Sequence, residues 1–379
     1  MKKNILIIPH APMYKNIFNR GHELAINLDK NKFNVYFLVW NTCFNCSILD
    51  KIKTQIKNLY TKNIIEKKIN YIRVPMLNFP KTANTTLRFN SVMINKFIQK
   101  YNIDILINSN INYFDFKYID VETKIFDVVD DHLSKENNIG INEDSIKLQI
   151  KNMQNSDKII VITNQIKNKV INVGIDKEKI EILENGFYPN IFDEIDENTI
   201  FNLKKELNLE NKKIVGYIGN IDEWVRLELA LEAFVSRYKD SDKVCFLVVG
   251  GSMDKKYFET IKQKYNYSNI KFMGYVKKEE VYKYFKLLDI GIIPFELSDF
   301  TNNAFPIKTL EYGYAGAKVI SSKLDFLVER NFSFVEFFDD IDDLASKMNF
   351  DNDKLNNKEE LKKYSWQELS KKLGDFIDN

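Results

Sequence analysis

The sequence predicts an α/β protein built from two doubly wound parallel-sheet domains, and three observations predict it. Short apolar runs of strand length alternate with helix-length amphipathic runs from one end of the chain to the other. Most of the short runs are continuous in Val, Ile, Leu and Phe rather than alternating apolar with polar, as parallel strands buried on both faces are. A chain of 379 residues is too long for one compact core and fits two domains of ordinary size.

In the first half the strand candidates are 4–8, 33–39, 71–74, 103–107, 125–129, 158–162 and 180–183. In the second half they are 213–219, 243–249, 269–273, 289–294, 318–321 and 334–337. Between the two sets, Glu184-Asn185-Gly186-Phe187-Tyr188-Pro189 supplies turn chemistry, and a polar, charged helix follows before the strand pattern restarts at Lys213. The expected domains are 1–190 and 191–360, each a Rossmann-like sheet with no sequence repeat between them.

Charge and composition remove several classes of function. With 55 Lys and Arg against 53 Asp and Glu the net charge is +2, so no global field draws the chain to nucleic acid. Cys43, Cys46 and Cys245 cannot build a disulfide framework, and the lone Cys43-x-x-Cys46 pair lacks the further ligands of a zinc site. No apolar stretch approaches the roughly 20 residues needed to span a bilayer. Met1-Lys2-Lys3-Asn4 runs straight into the first strand without a signal-peptide core, and the expected location is cytoplasmic.

The most informative segment is Asn303-Ala304-Phe305-Pro306-Ile307-Lys308-Thr309-Leu310-Glu311-Tyr312-Gly313-Tyr314-Ala315-Gly316. Pro306 suits a first helical turn and Gly316 the position just past a helix end. Lys308 then lies where the helix dipole disfavours a cation, unless an anion is bound at the same helix end. Glu311 is on the same helix face, three residues on. A Lys for phosphate and a Glu accepting two ribose hydroxyls make a nucleotide clamp; a surface Lys–Glu helix pair is the other reading of the same spacing.

This stretch resembles the Pro-x-Lys-x-x-Glu-Tyr segment of GT-B glycosyltransferases of bacterial surface-polysaccharide pathways, relatives of the family-four enzymes. Glu311 matches the family's second glutamate, and Asn303 stands where the first one usually is. Gly219-Asn220-Ile221-Asp222-Glu223-Trp224 resembles the turn after the first strand of the donor domain, with Asn220 and Val225 at positions where an Arg and a Lys are common and with Arg226 one residue later. Gly250-Gly251-Ser252 resembles the small-residue loop beside the nucleotide, where backbone approaches ligand closely. Gly274-Tyr275-Val276 resembles the loop whose backbone contacts the base. Tyr364-Ser365-Trp366 resembles the start of the closing helix, which returns to the first domain and would join residues 361–379 to it. The resemblance therefore implies donor contacts from Gly219, Asn220, Arg226, Gly250, Gly251, Tyr275, Val276, Asn303, Phe305, Pro306, Lys308 and Glu311.

In the first domain, Pro9-His10-Ala11-Pro12 forms a turn after the first strand, and Ile17-Phe18-Asn19-Arg20-Gly21-His22-Glu23-Leu24 resembles the family's Arg-x-His stretch. Loops at the carboxyl ends of parallel strands bind ligands, so His10, Arg20 and His22 are acceptor-side candidates. Asp127-Val128-Val129-Asp130-Asp131-His132 delivers Asp130, Asp131 and His132 to such an end. An Asp there with a raised pKa could serve as general base, with helix capping as the ordinary alternative. Asp340-Ile341-Asp342 and Asp351-Asn352-Asp353 have the spelling of a metal-binding Asp-x-Asp, but N-capping explains the first, and no metal is expected. Across 50–70, Lys51, Lys53, Lys57, Lys62, Lys67 and Lys68 accompany Ile52, Ile56 and Ile64 at roughly helical spacing. Such a stretch fits an anionic membrane surface or a solvated connecting helix.

Together these features lead to an expected metal-independent glycosyltransferase of hexosyltransferase type with a GT-B fold, two Rossmann-like domains and an interdomain cleft. It would take a sugar from a nucleotide-sugar substrate, UDP-linked, to a hydroxyl of a glycan or lipid-linked acceptor in cell-surface polysaccharide synthesis, with no cofactor. A non-catalytic glycosyltransferase-like subunit and a GT-B sugar-nucleotide epimerase are the alternatives. A Rossmann dehydrogenase is disfavoured because no Gly-x-Gly-x-x-Gly follows a strand.

Overall fold

The computed structural model describes residues 2–11, 19–41, 47–59, 64–66, 69–77, 81–133, 142–350 and 356–378. The chain divides into two compact units, Met1–Asn185 with Trp366–Asn379, and Gly186–Ser365.

The first unit runs β1 (Lys3–Ile8), α1 (Arg20–Asn27), β2 (Phe33–Leu38), α2 (Ile48–Leu59), β3 (Ile64–Glu66), β4 (Ile69–Ile72), α3 (Asn84–Tyr101), β5 (Ile105–Asn108), β6 (Thr123–Val128), α4 (Glu143–Gln154), β7 (Lys158–Val161), α5 (Asn164–Asn172) and β8 (Ile180–Ile182). The sheet order is β3-β4-β2-β1-β5-β6-β7-β8, parallel throughout except that β3 pairs antiparallel with β4 at the edge. β5 is buried on every residue and β7 on Ile159, Ile160 and Val161, as apolar runs covered on both faces are.

The second unit runs α6 (Pro189–Asp193), α7 (Glu197–Glu206), β9 (Lys213–Ile218), α8 (Leu227–Tyr238), β10 (Val244–Val249), α9 (Lys255–Lys264), β11 (Ile270–Gly274), α10 (Lys278–Leu287), β12 (Ile290–Ile293), α11 (Asp299–Asn303), α12 (Ile307–Tyr314), β13 (Lys318–Ser321), α13 (Asp325–Arg330), β14 (Val335–Phe337), α14 (Ile341–Lys347) and α15 (Lys358–Leu361). Its described sheet is parallel, in the order β11-β10-β9-β12-β13-β14. The final helix, α16 (Trp366–Asp378), belongs to the first unit: Ser370 donates to the Leu24 carbonyl, Lys158 donates to the Phe376 carbonyl, and Asp378 pairs with Lys3 at 3.0 Å.

The unit boundary falls ahead of residue 190, because Phe187 is drawn into the second core. Its ring meets those of Phe192 and Tyr314, and its amide donates to the Tyr364 carbonyl at 3.1 Å. Each of the thirteen strand-length runs corresponds to a strand, and β3 is the additional one. The helical stripe expected to reach Ile64 stops with α2 at Leu59, and Ile64 begins β3 instead. Pairing to β4 decides that three-residue segment, which is too short to carry a periodicity of its own. Cys43, Cys46, Pro12, Ile17, Phe18, Lys62, Lys67, Lys68 and Asp351-Asn352-Asp353 lie outside the described residues. Asp340 N-caps α14, accepting from the Asp343 amide at 2.8 Å.

Candidate active site

Three strand ends in the second unit are stitched side by side by backbone bonds. Gly219 donates to the Val249 carbonyl at 2.9 Å, and Gly250 donates to that of Gly274 at 2.8 Å. Glycine is required at the crossing: Gly250 has φ 126°, and a Cβ there would lie 1.9 Å from the Gly219 carbonyl oxygen. Beside it, the Tyr275 ring covers Gly251, where a Cβ would come within 2.7 Å of the ring. Tyr275 is 68% exposed and Val276 half-buried, so this loop offers an open aromatic face.

Helix α12 starts at the same end of the sheet. Pro306 is its N-cap and offers no side-chain cap; the Thr309 amide donates to the Pro306 carbonyl at 2.9 Å, and the Ile307 and Lys308 amides ahead of it carry the partial positive charge of the helix end. Gly316, at φ 87°, ends the helix, and the Ala317 amide returns to the Tyr312 carbonyl. Tyr312 crosses Gly291 of β12, where a Cβ would sit 2.5 Å from its ring, and its hydroxyl accepts from the Ile218 amide at 2.9 Å. That contact locks α12 onto the end of β9.

Lys308 does not form the helix-surface pair with Glu311. Its ammonium donates to the Tyr217 hydroxyl at 2.8 Å and lies 4.3 Å from the Tyr217 ring centre and 5.0 Å from that of Phe295. It also crowds Gly219, at whose Cβ position the Nζ would be 2.5 Å away. Burial lowers its pKa to about 8, against the opposing fields of Glu311 and Asp222. Burial raises the Glu311 carboxyl to about 7, opposed by Lys308 and Lys278, and the Glu311 side chain has no hydrogen-bond partner among the described residues. A lysine kept short of partners beside a helix amino end, with an unpartnered carboxyl one turn on, can bind an anion flanked by hydroxyl donors.

The other expected donor residues divide by placement. Asn220 is exposed and its carbonyl accepts from the Tyr217 hydroxyl at 2.6 Å. Arg226 is exposed and caps α8 in a left-handed conformation, φ 54°. Asn303 is buried and donates its amide to the Asp299 carbonyl one turn back, and Phe305 is buried against Phe326 and Tyr364. The short helix α11 and the following turn place both side chains in these contacts. Tyr217, Tyr312 and Asp222 join the site without having been singled out by spacing; Tyr217 and Tyr312 read as ordinary apolar positions of a buried strand and helix.

In the first unit, the expected acceptor-side residues separate in the same way. Arg20 is 1% exposed, as is Asp127, and its guanidinium meets the Asp127 carboxylate at 3.2 Å, the Glu184 and Leu183 carbonyls at 2.6 and 2.7 Å, and the Asn185 side chain at 3.0 Å. It is a clasp between α1, β6 and the segment after β8. His22 lies on α1 with Nε2 2.6 Å from the Tyr71 hydroxyl and its ring against Phe37, so it is engaged with the sheet.

At the ends of β1 and β6, His10 acts electrostatically on His132, whose amide donates to the Asp130 carbonyl at 2.8 Å. His10 Nδ1 is buried with no hydrogen-bond partner among the described residues. Burial lowers its pKa, opposed by Asp127 and reinforced by Arg20. His132 is pushed down to about 4, by burial first and His10 second, so both imidazoles are neutral at neutral pH. Asp131 is buried and paired to Lys169 at 2.7 Å. Asp130 has no ion pair among the described residues, and burial, with Asp131 adding to it and Arg20 opposing, raises its carboxyl to about 7. A carboxylate poised there is suited to accept a proton from a hydroxyl.

Known proteins bear on both units. Residues 199–350 match the family described as Glycosyl transferases group 1. WcaI of Escherichia coli (strain K12), named as a glycosyl transferase of colanic acid biosynthesis, is 30% identical over 121 residues, 32% of this chain and 29% of its own length. The match thus spans less than a third of that relative. HepE of Anabaena, solved with UDP and with UDP-glucose, superposes with a TM-score of 0.69 at 14% identity. In the UDP complex the likeness covers 100% of both chains. Sucrose-phosphate synthase of Thermosynechococcus elongatus superposes with a TM-score of 0.75 at 15% identity, over 100% of this chain and 98% of its own. On these grounds residues 199–350 are similar to a glycosyl transferases group 1 domain, and the chain has the fold of the GT-B glycosyltransferases.

Proposed function

We propose that the protein transfers a hexosyl group from a nucleotide-sugar, UDP-linked, to a hydroxyl of a glycan or lipid-linked acceptor in cell-surface polysaccharide synthesis, without a metal. The observation that carries the reading is the Lys308 ammonium held at the amino end of α12 against the Gly219 turn. Lys308 and the helix end take the charge that develops on the departing diphosphate as the bond from sugar C1 to the phosphate oxygen breaks. Glu311 accepts the ribose hydroxyls, and Gly219, Gly250 and Gly251 let the backbone approach the nucleotide. Tyr275 and Val276 border the base, with Asn220 and Arg226 at its exposed margin. In the first unit Asp130 takes the proton of the acceptor hydroxyl whose oxygen forms the new bond to C1. His10 and His132, both neutral, orient that hydroxyl without adding charge. Asp131, held by Lys169, positions the turn.

The test is a nucleotide-release screen of UDP- and GDP-sugars with the full chain, followed by NMR of the new anomeric centre. Asp130→Asn is expected to cut turnover by about 10²-fold or more while leaving nucleotide affinity near the wild-type value. A chain that binds neither UDP nor GDP points instead to a non-catalytic subunit.

We place the protein on the inner face of an anionic membrane through α2. Leu49, Ile52 and Ile56, 68%, 51% and 51% exposed, recur at helical spacing, and Lys51, Lys53 and Lys57 are exposed on the same helix. No described helix is long and apolar enough to cross a membrane. Co-sedimentation with phosphatidylglycerol vesicles should fall by about tenfold or more in an Ile52→Glu, Ile56→Glu variant, and should weaken with salt. Equal sedimentation of the variant removes α2 from that role.

A further inference from the structure

Tyr217 is fully buried near the end of β9, yet its hydroxyl reaches two partners. The single hydroxyl hydrogen goes to the Asn220 carbonyl at 2.6 Å, which leaves the oxygen lone pairs to accept from the Lys308 ammonium at 2.8 Å. The face of the same ring lies 4.3 Å from the ammonium, within the range of a cation–π contact, and Phe295 adds a second ring at 5.0 Å. One residue therefore sets the place of the Lys308 nitrogen in two ways, and ties it to the Gly219-Asn220 turn through the backbone.

We propose that Tyr217 is a positioning residue: anchored on the Asn220 carbonyl, it holds the Lys308 ammonium at the turn and leaves its two other hydrogens for the oxygens of a nucleoside diphosphate. The proposal rests on the reading of Lys308 as a diphosphate contact. A Lys side chain carries several rotatable bonds, and an ammonium that must be found afresh at each binding event loses affinity to that freedom. The fixed hydroxyl removes the search. Gly219 stands at φ 147°, which strains any other residue, and a Cβ there would lie 2.5 Å from Nζ and so push the ammonium off its place.

The experiment is a double-mutant cycle on the full chain with Tyr217→Phe, Lys308→Ala and the pair. Its readout is the dissociation constant of UDP or GDP, whichever the wild-type chain binds more tightly. Tyr217→Phe keeps the ring and removes only the oxygen. It is expected to weaken binding by about five- to tenfold when Lys308 is present, the loss of one charge-assisted hydrogen bond, and hardly at all when Lys308 is Ala. A second readout needs no nucleotide: competitive acetylation across pH, read by mass spectrometry at the Lys308 peptide, gives the pH at which this amine loses its proton. That midpoint should move down in Tyr217→Phe, because the ammonium has lost its acceptor.

An equal effect of Tyr217→Phe with and without Lys308, or an unmoved labelling midpoint, overturns the positioning role. Nucleotide affinity indifferent to Lys308→Ala, or absent in the wild-type chain, overturns instead the donor-site reading on which it rests. The midpoint then still decides whether Tyr217 governs Lys308.

Discussion

Lys308→Ala is expected to lower turnover by about 10²- to 10³-fold and to weaken nucleotide diphosphate binding by about tenfold or more, with the fold intact. The first effect is the larger because the ammonium meets more charge as the diphosphate departs than in the bound substrate. Lys308 makes one described hydrogen bond, so its removal leaves Tyr217 with its Asn220 contact and costs little packing. A pH dependence accompanies the prediction. In the free protein Lys308 loses its proton near pH 8, whereas bound diphosphate holds the proton on. Binding should therefore weaken as pH rises above about 8, with proton uptake seen as buffer-dependent binding heat, and Lys308→Ala should abolish that limb. On the other side, Glu311 gains a proton near pH 7 and loses accepting capacity, so affinity should also fall below about pH 7 and Glu311→Gln should flatten that limb. Near-normal turnover in Lys308→Ala would retire the phosphate role.

The second large effect concerns stability. Arg20→Ala should destabilise the first unit by about 3–5 kcal/mol, because it strands a buried carboxylate. Arg20 and Asp127 are each 1% exposed, and the same guanidinium satisfies the Leu183 and Glu184 carbonyls and the Asn185 side chain. Removing it leaves Asp127 with the Ser109 hydroxyl at 3.2 Å. An Arg20→Met, Asp127→Leu pair removes both charges and should cost less than the sum of the single changes. Hydrogen exchange of the β1, β6 and β8 amides in the full chain reads the loss unit by unit, which a single melting curve of a two-unit protein does not. Exchange unchanged in Arg20→Ala would show that the clasp contributes nothing.

Much of the fold was legible from residue order alone. Runs such as 105–107 and Val244–Val249 are apolar on every residue, and a segment that hides both faces must lie inside a covered parallel sheet. Gly316 falls just past the end of α12, where it tolerates a positive φ, and Pro306, expected in the first turn, stands at the N-cap one residue before it. The short edge strand β3 was not legible, since three residues hold no period and only β4 gives them a partner. Asp131, Arg20 and Phe305 carried the residue types of a site, and nothing in a linear pattern showed that each had a partner elsewhere.

Residue order by itself determined the two parallel sheets, the glycine turns at their carboxyl ends and the helix that brings Lys308 and Glu311 to one of them. Those features follow from local rules: periodicity, capping and backbone freedom act over a few neighbouring residues. Which polar groups remain unpartnered was decided only by the tertiary structure. Lys308 is drawn to Tyr217, 91 positions away in the chain, and Arg20 to Asp127, 107 away, while Glu311 and Asp130 have no ion-pair partner among the described residues. Burial makes the choice, because a charge taken from water must find a partner or shift its pKa, and the available partners are set by what the fold brings alongside.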